Sequence, residues 1–165
     1  MSALWLRPAR DTDEAAIASL DRAAFGRDAE AQIAAALRQD GESLSSLIAH
    51  DDHAICGHLE FFRVQIEGAA VAAGLGPLAV APAFQRRGTG SQMVRFGLAQ
   101  MQGQGHDLVF VHGAPEFFSR FGFSARTADG FSAPWSGPRF MALRLDESAP
   151  RTGQLAFPRA IGRLG

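Results

Sequence analysis

The stretch "PAFQRRGTGSQMVRF", residues 82–96, places two arginines and two glycines where an apolar run gives way to a helical pattern. The run before it, "GLGPLAVAP", is typical of a strand that glycine interrupts and proline ends. The residues after it repeat on one helical face: Met93, Val94, Gly97, Leu98 and Met101. We therefore predict a strand, a tight loop and then a helix from about residue 90 to residue 102.

The loop has the chemistry of an anion site. The first N–H groups of a helix lack intrahelical partners and carry a partial positive charge. Glycines at 88 and 90 allow a tight turn and close approach of a ligand, and Arg86 and Arg87 add planar donors. The pattern predicts a phosphate cradle, while an ordinary surface loop with helix capping remains the alternative. A dinucleotide-binding motif is disfavoured, since Met93 stands where its third glycine belongs.

The rest of the chain alternates strand and helix patterns. We predict the order βααβββαβαβ, a mixed α/β domain, with a strand–helix–strand unit over residues 69–112 whose two strands are parallel. In "HAICGHLEFFRVQIEG" the apolar positions change phase, which predicts a bulge or strong twist near Phe61. A turn follows at Glu67–Gly68.

Composition narrows the function. The 165 residues fit a domain over 1–146 and an extension over 147–165 that docks on the domain or on a partner. A net charge of −1 argues against nucleic acid as a partner, and no apolar run approaches a membrane span. The N-terminus has no signal-peptide pattern, and one cysteine, Cys56, excludes an internal disulfide. We expect a cytoplasmic protein without a metal site, and Cys56 in the core.

Two residue types are missing. All sixteen basic residues are arginine and the chain has no tyrosine. Schiff-base chemistry on lysine, a P-loop lysine and a phenol acid are therefore all excluded.

Two stretches together resemble the GNAT acetyltransferase superfamily. "PLAVAPAFQRRGTGSQMV" is similar to the family's strand–loop–helix signature, and "HGAPEFFSRFGF" is similar to its second marker, a short helix that ends in Gly-Phe. "GQLAFPRAI" is similar to the C-terminal extension of one branch of small bacterial members. The resemblance implies a mixed central sheet with splayed parallel strands, helices on both faces, and transfer of an acetyl group from acetyl-CoA to an amine.

The resemblance also assigns the cofactor site. The strand backbone would pair with the pantetheine arm, and the loop and helix start would hold the pyrophosphate. Phe118 stands where many members carry a tyrosine that protonates the departing thiolate. The implied cofactor-binding residues are Leu78, Ala79, Val80, Gln85, Arg86, Arg87, Gly88, Thr89, Gly90, Ser91 and Phe118.

The catalytic residues are less determined by the pattern. His112 ends the strand beside the expected splay and is the nearest titratable group to the thioester. His58 and Glu60 share one face of an earlier strand and are further candidates. The alternative is that this face is exposed to solvent or that its charges are paired with each other or with neighbours. Ser119 could donate a hydrogen bond in place of the missing phenol. The predicted catalytic residues are His112, Glu60 and Ser119.

Two functions fit this pattern. The first is an N-acetyltransferase that acts by direct attack of a primary amine in a ternary complex, which we favour. The second is an acetyl-CoA-binding sensor or interaction module without turnover, suggested by the missing tyrosine.

Aromatic and acidic residues in segments without a motif hint at a cationic or amine acceptor: Phe131, Trp135, Asp28, Glu30 and Asp129. The acceptor could be a small molecule or a protein, and a homodimer is compatible with the resemblance.

Overall fold

The computed structural model describes residues 3–67 and 71–164, with the side chains of 163 and 164 left out. Its strands are β1 (Trp5–Pro8), β2 (Ser43–His50), β3 (Ile55–Ile66), β4 (Ala72–Val80), β5 (Leu108–His112), β6 (Phe131–Ser132), β7 (Phe140–Arg144) and β8 (Gly153–Ala156). Its helices are α1 (Glu14–Phe25), α2 (Ala29–Gln39), α3 (Thr89–Gly103), α4 (Pro115–Phe118) and α5 (Ala125–Ala128). The turn predicted at Glu67–Gly68 lies partly outside the described residues.

These strands form one open mixed sheet. The order along its main path is β1-β2-β3-β4-β5-β7, and β8 joins β6 to the end of β3. β4 and β5 are parallel, as predicted, and every other neighbouring pair on this path is antiparallel. The α/β class is confirmed, whereas α5, β6 and β8 were not predicted because each is only two to four residues long.

The irregularity predicted near Phe61 is confirmed. Between β3 and β4 the register passes from Leu59–Leu78 to Phe61–Leu75, so β4 carries one residue more than β3 across this interval. Between β2 and β3 the register also shifts beside Phe61. The extra residues therefore lie in the neighbouring strands, and the two apolar phases of β3 arise because both of its faces are buried.

Each face of the sheet covers its own core. Phe62 and Val64 pack with Ile33 and Leu37 of α2 on one face. Leu59 and Phe61 pack with the apolar stripe of α3 on the other, together with Cys56, which is buried as predicted. The Phe61 ring reaches α3 closely, since a Cβ on Gly97 would lie only 2.3 Å from it. Helices thus cover both faces of the sheet.

The segment after Asp146 packs against the rest of the chain. Gln65 and Ile66 of β3 pair with Ala156 and Leu155 of β8. Ala160 and Ile161 further along are also buried. The division into a domain of 1–146 and an extension of 147–165 stays a prediction. None of the helices in the described residues has both the length and the apolarity needed to cross a bilayer.

A buried charge network, formed by Asp21, Arg38, His58 and Glu60, joins α1 and α2 to β3. His58 Nδ1 lies 2.9 Å from Asp21 Oδ1, and His58 Nε2 lies 3.2 Å from Glu60 Oε1. Arg38 donates to Glu60 at 2.7 Å, and two serine hydroxyls, those of Ser43 and Ser46, also donate to Glu60. Burial works against the imidazolium, but the hydrogen bonds to both carboxylates outweigh it and raise the pKa of His58 to about 9.

This raised pKa predicts a pH-dependent stability. Because the folded protein holds the His58 proton more tightly than the unfolded chain does, its contribution is complete below the unfolded pKa of about 6.5. It is lost as the pH rises towards the folded pKa of about 9. We expect the free energy of unfolding, measured with urea at a series of pH values, to fall across this interval.

The matched control is His58→Gln, which should lose this slope. Burial also raises the pKa of the Cys56 thiol. This shift also makes the free energy of unfolding fall as the pH rises, but only above the thiol's unfolded pKa of about 8.5. Both proteins should therefore be compared in a Cys56→Ala background. If His58→Gln does not fold, NMR titration of wild-type His58 decides the matter, because an imidazole that loses its proton near pH 6.5 would contradict the assignment.

Candidate active site

A gap opens in the sheet between β4 and β5. The two strands pair only through Ala73–Val109, Gly74–Phe110 and Leu75–Val111. Beyond Leu75, β4 continues to Val80 while pairing with β3, and β5 ends at His112 while pairing with β7. In the described part of the chain no strand pairs with the far half of β4 on its β5 side.

A cavity of about 720 Å³, here called the central cavity, begins at this gap. Residues 75–78 of β4 and residues 110–114 at the end of β5 form its walls, and Phe117 and Phe118 of α4 close one side. On the other side it is lined by the α1–α2 junction, the segment before β7 and the C-terminal extension, through Phe25, Arg27, Glu30, Trp135, Arg139, Phe140, Phe157 and Ile161.

The predicted anion loop lies at the end of β4. Gly88 adopts a φ of 82° at the N-terminus of α3, and Arg86 adopts a φ of 64°, which is unusual for a residue other than glycine. Within residues 3–67 and 71–164, no hydrogen bond satisfies the backbone N–H groups of residues 86–91. Such a run of free N–H groups in a turn with left-handed residues is an anion nest.

The loop contacts β4 and α4 through Gln85 and Gly90. The Gln85 side chain donates to the carbonyl of Val80 at 2.9 Å and so ties the loop to the end of β4. A Cβ on Gly90 would make only ordinary contacts, 3.7 Å from both Phe117 and Val80. The turn itself therefore does not depend on glycine at 90, because its left-handed positions are Arg86 and Gly88.

His112 lies at the rim of the central cavity. It is exposed, and its ring centroid is 6.3 Å from that of Trp135. Partial burial, followed by the charge of Arg139, lowers the pKa of the imidazole. His112 is therefore neutral at pH 7, the form that can accept a proton.

Phe118 contributes to both the core and the cavity. It is 8% exposed, its centroid lies 4.9 Å from that of Phe117 and 5.8 Å from that of Phe123, and it packs on Gly113. Its ring also lines the central cavity. This is the position expected for the family tyrosine, with a side chain that has no proton to give.

Two other predicted catalytic residues lie elsewhere. Glu60 is fully buried in the charge network and does not line the central cavity. This placement does not support it as a base, since its carboxylate is already held by Arg38 and His58. Ser119 is exposed at the end of α4 and also lies outside the cavity lining, so its hydroxyl is not positioned to replace the phenol.

The hint of a cation-binding acceptor site is not supported by these contacts. Glu30 accepts hydrogen bonds from Arg27 Nε at 2.9 and 3.2 Å, and Asp28 is paired with Arg22. Phe131 is buried in the core with its ring 5.0 Å from that of Phe110. Asp129 is not among the cavity-lining residues.

Sequence reasoning missed several residues of the cavity wall, and two of them, Arg139 and Phe157, matter most for the site. Arg139 lies in the segment before β7, which carries no motif, and could not have been singled out. Phe157 lies in the extension, whose apolar residues predicted docking but not a role in the cavity.

Comparison with known proteins agrees with this geometry. A family model described as an acetyltransferase (GNAT) domain matches residues 6–126. YhbS of Escherichia coli K12, described as an uncharacterized N-acetyltransferase, is 33% identical over 141 residues, 83% of this chain and 84% of YhbS. The protein therefore belongs to the GNAT acetyltransferase family, as its two motifs predicted.

Solved structures extend the comparison. The crystal structure of Escherichia coli YhbS in complex with CoA superposes with a TM-score of 0.91 at 29% identity, covering 100% of this chain and 95% of that one. A GNAT family acetyltransferase from Brucella melitensis in complex with acetyl-CoA gives a TM-score of 0.82 at 31% identity, covering 98% and 99%. These neighbours confirm the expected fold.

Proposed function

We propose that this protein is an N-acetyltransferase that moves an acetyl group from acetyl-CoA to a primary amine by direct attack in a ternary complex. The observation that carries the proposal is the succession of three features along β4: the cavity at His112, the edge beyond Leu75 that no described strand pairs with on the β5 side, and the anion nest at residues 86–91. Such a succession fits a long ligand with a phosphate at one end and a reactive group at the other.

The residues present fit acetyl-CoA. The free N–H groups of residues 86–91, with Arg86 and Arg87, supply donors for the pyrophosphate. The edge of β4 at Leu78, Ala79 and Val80 offers backbone groups to an extended arm, as an added strand would. The YhbS and Brucella structures, solved with CoA and acetyl-CoA, support acetyl-CoA as the cosubstrate. When bound, acetyl-CoA supplies an activated thioester.

His112 is the proposed general base. The acceptor amine must lose a proton to attack the thioester carbon, and a positioned imidazole with a pKa near or below the working pH can take it. His112 lines the central cavity at the point where β4 and β5 have separated, and its lowered pKa keeps it neutral. Glu60 and Ser119 have no part in this assignment.

The departing thiolate receives no proton from the protein in this arrangement. Phe118 lines the cavity where an acid would serve, and it has only a hydrocarbon ring. We propose that water protonates the thiolate. The absence of a proton donor at Phe118 also favours the second candidate, an acetyl-CoA-binding module without turnover. Release of free thiol from acetyl-CoA in the presence of an amine distinguishes the two.

The loop assignment predicts a selective effect of Gly88→Ala. The φ of 82° at Gly88 is strained for alanine, at a cost of about 1 kcal/mol or more. Relief of that strain would move the N–H groups of the nest. We expect acetyl-CoA to bind roughly tenfold more weakly, as measured by calorimetry.

The control is Gly103→Ala at the end of the same helix, where an added Cβ meets nothing within 4 Å and φ is not positive. Its dissociation constant should equal that of the wild type. If acetyl-CoA does not bind the wild-type protein or raise its thermal midpoint, the proposed function is wrong. If it binds Gly88→Ala normally, only the loop assignment is wrong.

The base assignment predicts a pH profile. Because protonation removes the base, kcat/KM should fall as the pH drops through the His112 pKa, which lies below the ordinary value of about 6.5. His112→Gln should lower kcat by about 10²-fold and remove this acid limb. The amine's own titration lies at higher pH and should persist in both proteins.

His53→Gln is the control, since His53 is exposed in the turn between β2 and β3 and lies outside the central cavity. It should keep the wild-type profile. An unchanged acid limb in His112→Gln would show that another group takes the proton.

The Phe118→Tyr substitution adds a hydroxyl to a ring that lines the central cavity. If the hydroxyl faces the cavity, it can protonate the thiolate. We expect single-turnover transfer at saturating acetyl-CoA to rise about threefold, because water already serves and proton transfer limits the rate only in part. The gain should be largest at high pH.

Phe121→Tyr is the control, since it adds a hydroxyl to the adjacent 3-10 turn outside the cavity lining. It should leave the rate unchanged. A loss of several kcal/mol of stability in Phe118→Tyr, measured by urea unfolding, would show that the hydroxyl meets packed atoms and that α4 does not border the reacting centre.

A further inference from the structure

The charges that line the central cavity do not cancel. Its titratable lining residues are Arg27, Glu30, His112 and Arg139. Arg27 and Glu30 neutralise each other in a close ion pair, with Nε 2.9 Å from Oε1. Arg139 makes no ion pair and no side-chain hydrogen bond with any residue in 3–67 or 71–164. With His112 neutral, the cavity carries one net positive charge, and Arg139 is its source.

Arg139 lies beside the proposed base. Phe140 pairs with His112 across β7 and β5, and the Gly113 N–H donates to the Arg139 carbonyl at 3.0 Å. The side chain is exposed and lines the cavity, and its charge acts on His112. A ligand whose amine is at His112 can therefore place a neighbouring group on the guanidinium.

The same rim presents an aromatic surface. The Trp135 centroid lies 4.7 Å from that of Phe157 and 6.3 Å from those of both Phe140 and His112. All four rings line the cavity. An apolar part of a ligand bound here would be removed from water, which is favourable in proportion to the area buried.

We infer that the acceptor is a monoamine that carries a carboxylate and an apolar or aromatic side group, with its carboxylate on Arg139 and its side group against Trp135 and Phe157. A guanidinium binds a carboxylate through two parallel hydrogen bonds. Polyamines and other multiply charged cations are disfavoured, because the cavity offers them a positive charge and no unpaired carboxylate. This inference rests on the proposed function, since it names the substrate class of the same site.

Product binding tests the inference without requiring turnover. We would load the protein with CoA and measure, by calorimetry, the binding of N-acetylphenylalanine, N-acetylphenethylamine and N-acetylspermidine. The first two differ only in the carboxylate. We expect N-acetylphenylalanine to bind roughly tenfold more tightly than N-acetylphenethylamine, as one partly solvated charged hydrogen-bond pair allows, and N-acetylspermidine to bind weakest.

Variants of one residue then assign the preference. Arg139→Gln should abolish the difference between the first two ligands, and Arg139→Lys should keep part of it, since lysine preserves the charge without the planar fork. Arg126→Gln removes an exposed arginine of α5 that lies outside the cavity lining and should behave as wild type.

The outcomes separate the two levels of the proposal. Equal binding of the first two ligands, tighter binding of N-acetylspermidine, no binding of any of them, or an undiminished preference in Arg139→Gln would each overturn the inference. If CoA fails to bind in the loading step, the proposed function fails first. If phenethylamine is acetylated as efficiently as phenylalanine, the transferase stands and the substrate class is wrong.

Discussion

The site depends on the separation of the parallel strands β4 and β5, each of which stays paired with its other neighbour in the sheet. β3 keeps β4 extended as far as Val80, and β7 keeps β5 in register as far as His112. Because both outer ladders continue where the inner one stops, the gap cannot close without the loss of backbone hydrogen bonds. The residue that β4 carries in excess of β3 lies between Leu75 and Leu78, opposite Glu60, where this separation begins. The gap is thus a consequence of sheet register.

The same register determines where the charged ends of the site lie. β4 ends at Val80 and leads into the anion loop. The Gln85 side chain ties that loop to the Val80 carbonyl. The N–H groups at the start of α3 are therefore presented at one end of the gap, while His112 and Arg139 occupy the other. Groups that would bind phosphate and groups that would act on an amine are separated by the length of one unpaired strand edge.

Local patterns were enough to predict this frame. The strand, loop and helix around residues 82–96 and the parallel pair follow from periodicity, glycine placement and the handedness of short connections. The left-handed conformation of Arg86 was not predictable, because turn rules reserve that region for glycine and asparagine. Arg139 was missed for a different reason, since only the folded chain brings its motif-free segment to the end of β5.

Glu60 shows a further limit of sequence reasoning. Polar residues at alternate strand positions are typical of a face open to water, yet this face receives Asp21 and Arg38, which lie 37 and 22 residues from their partners His58 and Glu60. No local pattern reports contacts at that separation. The carboxylate of Glu60 was therefore a reasonable candidate base in the sequence and a structural anion in the fold.

The two histidines near the sheet centre differ in what surrounds them, and this difference separates their roles. His58 is enclosed by two carboxylates that raise its pKa to about 9, so it stays charged and joins α1 to β3. His112 has an aromatic neighbour and an arginine, which together with burial lower its pKa. Removal of a proton from the first would leave the buried carboxylate of Asp21 without a cationic partner among the described residues, which is costly. The second is ready to accept a proton. The Arg139 charge, which adds to the effect of burial in lowering the pKa of His112, is also the charge that remains without a partner among the cavity residues. One side chain therefore both assists the proposed base and offers a site for the acceptor's anion.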